Sequence, residues 1–114
     1  MFKLIDYIII FVRDMDPMLD FWRNRIGLQA RYSSNEWSEL QLENTILALH
    51  KSTEATPRDT GIVFRVEDIE ETVRLLHEKG IEVTSPQDIG AGMEALFKDP
   101  EGNTYHIFQP RKET

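Results

Sequence analysis

The stretch IIIFVRDMDPMLDFWRNRIGLQA, Ile8 to Ala30, returns in altered form as GIVFRVEDIEETVRLLHEKGIEVT, Gly61 to Thr84. The two align when Val12 is set on Val66, Asp14 on Asp68 and Gly27 on Gly80, with one residue of slack between the aspartate and the glycine. Self-similarity at this spacing means that one supersecondary unit is used twice. In each copy a β-branched and aromatic run reads as a strand, and the aspartate after it reads as a helix cap. An apolar helical stripe follows: Leu19, Phe21, Trp22 and Ile26 in the first copy, Ile69, Val73, Leu75 and Leu76 in the second. Glu70 and Glu71 suit the positive end of the second helix, and Gly27 and Gly80 suit a left-handed stop.

Beyond each helix lie three short extended segments. They are LQARYS, EWSELQLE and TILALHK in the first half, and IEVTSP, MEALFKD and NTYHIFQ in the second. Turn signals separate them, of which Asp99-Pro100-Glu101-Gly102 is the strongest, because proline presets one turn position and glycine tolerates a positive φ. The expected class is therefore α+β: two tandem β-α-β-β-β modules, 1–52 and 58–114, making one domain over 1–114. The polar linker, 53–57, lies within STEATPRD.

Composition narrows the function classes. With 114 residues, 40% hydrophobic and 29% charged, the chain is an ordinary globular one. Its longest apolar run, Tyr7 to Val12, is of strand length, so no membrane span is expected, and the start lacks the pattern of a secretory signal. The absence of cysteine removes disulfides and thiolate metal sites and makes a cytoplasmic location the default. A net charge of −7 with no basic stripe argues against nucleic acid as a partner.

The segments FVRDMDPMLDFWRNRIGLQ, VFRVEDIEETVRLLHEKGIEV and above all ALFKDPEGNTYHIFQP resemble the vicinal oxygen chelate superfamily, which includes glyoxalases, extradiol dioxygenases and fosfomycin- and bleomycin-resistance proteins. The resemblance covers nearly the whole chain. It implies curved sheets that form a cup, a homodimer, and a divalent metal such as Zn, Ni, Mn or Fe held by His, Glu or Gln side chains. The positions it implies for those ligands fall on Tyr7, Ala48, Gly61 and His106. Alanine and glycine offer no side-chain donor and neutral tyrosine is a poor one, so metal ligation would rest on His106 with His50.

The residues themselves suggest other uses. Alternation in TILALHK puts His50 on the face of Ala48, so it either joins the cup or lies solvated at the strand's exit. His106 reads as a pocket-lining group bonded to Tyr7, a satisfied core histidine, or a ligand. Glu94 could turn inward as a base, and Arg65, on the face of Gly61 and Val63, could grip a carboxylate or enolate; both could equally be surface residues. Trp37, with Phe11, Phe97, Tyr105 and Phe108, offers stacking area to a flat ligand. The expected function is metal-independent binding of a small molecule, with no cofactor. The alternative is a metal-dependent enzyme of the glyoxalase or dioxygenase kind, acting on adjacent substrate oxygens.

Overall fold

The computed structural model describes residues 1–112. It divides into two compact units, Met1–Thr56 and Pro57–Thr114. In the first, strand β1 (Tyr7–Val12) leads into helix α1 (Met15–Asp20), which runs on as a π-helical turn over Phe21–Ile26. Strands β2 (Ala30–Tyr32), β3 (Trp37–Gln41) and β4 (Ile46–Lys51) complete the unit. The second unit repeats the plan with β5 (Asp59–Arg65), α2 (Ile69–Glu78), β6 (Gln87–Asp88), β7 (Gly92–Lys98) and β8 (Thr104–Pro110). The sheet orders correspond, β1-β4-β3-β2 and β5-β8-β7-β6. In each sheet the first and last strands of the unit are parallel neighbours, and the other pairs are antiparallel.

One face of each sheet is closed by its helix. Val12, Leu40, Leu47 and Leu49 are buried with Met15, Met18, Phe21 and Trp22 in the first unit. In the second, Ala95, Phe97, Tyr105 and Ile107 are buried with Ile69, Val73 and Leu76. The helical stripes are thus narrower than their apolar residues suggest. Leu19 and Ile26 are only half-buried, and Leu75 is 41% exposed, because it sits one residue off the Ile69-Val73-Leu76 row. Asp68 caps α2 by accepting from the Glu71 N–H at 3.1 Å, whereas Asp14, also at a cap position, makes no side-chain cap bond.

The strand expected over IEVTSP is the main departure from the repeat. Val83 forms only an isolated bridge to Phe97, and regular pairing resumes at β6, within a stretch whose composition reads as a turn. Pro86 has no N–H to offer, and the Thr84 hydroxyl accepts from the Leu96 N–H in place of a backbone carbonyl, at 2.9 Å. The DPEGN turn forms as expected around a buried carboxylate. Asp99 accepts from the backbone N–H groups of Glu101 and Asn103, from the Asn103 amide, and from the Tyr105 hydroxyl at 2.7 Å. Burial and the neighbouring Asp99 push the Tyr105 phenol well above its ordinary pKa.

Candidate functional site

The strand faces turned away from the helices carry the candidate residues, four on each sheet. In the first unit the register sets Tyr7 opposite Ile46, Ile9 opposite Ala48 and Phe11 opposite His50, while β3 sets Trp37 opposite His50 and Glu39 opposite Ala48. Four rings form a chain of contacts on the face that Ala48 shares. Tyr7 lies edge-on to Trp37 with centroids 5.8 Å apart, Trp37 edge-on to His50 at 5.5 Å, and Phe11 tilted on His50 at 5.7 Å. Tyr7 is 38% exposed and Phe11 46%, so this is ring surface open to a ligand rather than core. The Trp37 indole N–H donates to Glu39 at 2.8 Å, and Arg31 pairs with the other oxygen of that carboxylate at 3.2 Å. His50 therefore belongs to the face of Ala48 and is engaged by two rings.

The second unit gathers charge instead. His106 Nδ1 lies 3.2 Å from Glu94 Oε2, and its Nε2 lies 3.0 and 3.1 Å from the two oxygens of Asp59. With a carboxylate at each nitrogen, the arrangement favours the protonated ring, in which both nitrogens donate. Partial burial opposes that charge, but the hydrogen bonds and charges of Asp59 and Glu94 outweigh it and raise the pKa above its ordinary value. The Gly61 N–H, and then His106, hold the Asp59 carboxyl below its usual range. Leu96 and Val63 flank the imidazole in register, and Arg65 lies opposite Phe108 on the same face. Arg65 is exposed and makes no ion pair among the described residues.

Two members of these clusters, Asp59 and Glu39, lie outside the candidates read from the sequence. Asp59 reaches His106 because β5 shifts register between Asp59 and Val63, with Gly61 at φ 70°. Asp59 thereby pairs with Thr104 and Val63 with His106, so Gly61, the position implied for a ligand, stands at the bulge and not beside the imidazole. The signal was present: aspartate two residues before a glycine inside a strand pattern marks an Asx turn and a bulge, here closed by the Gly61 N–H on Asp59 at 2.9 Å. Glu39 could have been found by alternation with Trp37.

A divalent metal is what the resemblance implies, and these donors do not fit one as arranged. Each His106 nitrogen is directed at a carboxylate, which leaves no lone pair for a cation, and Ala48 has no donor. Among the described residues no three His, Asp or Glu side chains are grouped to hold an ion.

The fold is thus two tandem β-α-β-β-β units, each with its last strand parallel to its first and one sheet face left open to polar and aromatic side chains. The family model for the Glyoxalase/Bleomycin resistance protein/Dioxygenase superfamily matches residues 4–107, and the chain belongs to that superfamily. Among solved structures it is similar to TnmS3, an antibiotic binding protein from Streptomyces sp. CB03234, with TM-score 0.86 and 22% identity over 96% of this chain and 98% of that one. It is similar also to the fosfomycin resistance protein FosX from Listeria monocytogenes, with TM-score 0.82 and 15% identity over 97% and 96% of the two chains. A lactoylglutathione lyase from Agrobacterium tumefaciens gives TM-score 0.79 at 14% identity over 94% and 93%. No curated protein matches the sequence.

Proposed function

We propose that the protein binds a small, flat organic molecule, preferentially a cationic one, without a metal, and catalyses no reaction on it. The observation that carries this reading is the exposed ring cluster of Tyr7, Phe11, Trp37 and His50. The exposed Tyr7 and Phe11 rings offer surface to a planar guest, and the chain charge of −7 favours a positive one. The roles of TnmS3 and FosX, antibiotic binding and fosfomycin resistance, support a small-molecule ligand. The chain acts as a cytoplasmic homodimer in this reading, since each sheet has two edge strands to protect and exposed apolar side chains such as Ile9 and Val63.

A second reading has its own support. An imidazolium between two carboxylates could move a proton, as an enzyme of the glyoxalase or dioxygenase kind requires.

Fluorescence separates the readings. Trp22 is buried, so quenching by an added aromatic reports Trp37. Titration with cationic 9-aminoacridine should saturate, and anionic 2-naphthoate should bind more weakly. By calorimetry, Trp37→Ala should lose about tenfold in affinity, the value of one stacking contact. Absence of saturation with either probe, or unchanged affinity in the variant, would overturn the proposal.

A further inference from the structure

We propose that the open face of the second sheet holds a site of its own, one that takes an organic monocarboxylate on Arg65. The register fixes two rows on that face: Val63, His106 and Leu96 in one, Arg65, Phe108 and Glu94 in the other. Both rows turn away from α2, since Ala95, Phe97, Tyr105 and Ile107, which alternate with them, are the buried residues. The pairing of β5 with β8 holds beyond Arg65, where the Val66 N–H still donates to the Phe108 carbonyl at 2.9 Å. Arg65 thus leaves a fixed stretch of backbone next to Phe108. Val63 is 55% exposed, and Leu96 and Phe108 are half-buried, so apolar surface on the face is left for a guest to cover.

The charged side chains of the face engage one another, with one exception. Asp59 and Glu94 each lie at a nitrogen of His106, and Lys98, further along β7, pairs with Glu82. Arg65 makes no ion pair among the described residues. Its planar fork is therefore on offer, and it matches the two oxygens of a carboxylate. The row from Arg65 to Glu94 spans two strand spacings, about 10 Å, with Phe108 in the middle, which leaves room for a compact apolar body against that ring. With His106 protonated, the trio of Asp59, His106 and Glu94 keeps one net negative charge, so a second anionic group on the guest would be repelled. The chain charge of −7 also opposes anions at long range, and the recognition is the short-range one of the fork.

The test is an NMR titration of the isotope-labelled full chain near neutral pH with cyclohexanecarboxylate, a non-planar monoanion unsuited to the ring cluster of the first unit. Saturable shifts are expected in the backbone amides of Val63, Arg65, His106 and Phe108, with the Trp37 indole unmoved. Neutral cyclohexanemethanol and the dianion of cyclohexane-dicarboxylic acid should both bind more weakly. Arg65→Met should weaken the monocarboxylate by about tenfold, the value of a charge-assisted hydrogen bond, and Arg65→Lys by less. Trp37→Ala should leave it unchanged, which separates this site from the ring cluster. Absence of saturation, equal binding of the alcohol, or unchanged affinity in Arg65→Met would overturn the site; equal binding of the dianion would overturn its selectivity for a single charge, and loss in Trp37→Ala its separateness.

Discussion

At the scale of single residues the most consequential side chain is His106. Its folded pKa lies above the ordinary imidazole value, so the stabilisation from its bonds to Asp59 and Glu94 is complete below about pH 6.5 and is lost as pH rises through the folded pKa. Asp59 is shifted the other way, so its contribution is present above its ordinary carboxyl pKa of 3.8 and is lost as pH falls through its lowered folded value. The cluster is most stabilising between those limits. The melting temperature should therefore drop by a few degrees between pH 6 and pH 9, as expected for a partly exposed ion pair, and His106→Gln should remove most of that slope. Parallel pH profiles of the two proteins would refute the assignment of charge to His106.

At the scale of elements the two units differ where the backbone absorbs irregular residues. The slack needed to align Asp14–Gly27 with Asp68–Gly80 appears as the π-helical turn Phe21–Ile26, which takes one more residue into the helix and still delivers Gly27 in the left-handed conformation at φ 97°. Phe21 and Trp22, at the start of that turn, remain buried. On β5 the bulge at Gly61 does comparable work by bringing Asp59 to His106. Glycines on strand and loop also differ in kind. A Cβ at Gly92 would lie 2.1 Å from the Gln109 carbonyl oxygen, a backbone atom that cannot move without breaking the β7–β8 ladder. Gly90, at φ 90°, has open space around it. Urea unfolding should show Gly92→Ala destabilised by roughly 3 kcal/mol and Gly90→Ala by about 1 kcal/mol, the first through overpacking and the second through backbone strain. Equal losses would mean that β7 and β8 separate there more easily than their register indicates.

At the scale of the whole molecule, metal independence and dimerisation can be tested together. Sedimentation at micromolar concentration should give twice the chain mass, with and without a chelator. Added Zn²⁺, Ni²⁺, Mn²⁺ or Fe²⁺ should raise the melting temperature little, because a ligand stabilises only in proportion to its preference for the folded state and His106 has no free nitrogen to offer. A chain that sediments as a monomer after chelation, or that gains many degrees with one of these ions, would overturn the metal-free reading.

The sequence by itself determined the duplicated β-α-β-β-β plan, because periodicity, caps and turn residues act over a few neighbours and leave their marks locally. It also determined that His50 shares a face with Ala48 and that the DPEGN segment turns, both consequences of short-range geometry. Only the tertiary structure decided who meets whom. The pairing of Asp59 with His106 spans 47 residues and depends on a register shift that strand alternation does not encode, and the union of Tyr7, Trp37 and His50 depends on which strands are neighbours. The strand expected over IEVTSP was lost for a related reason: its propensity was sufficient, but Pro86 and the Thr84 hydroxyl changed what β7 could pair with.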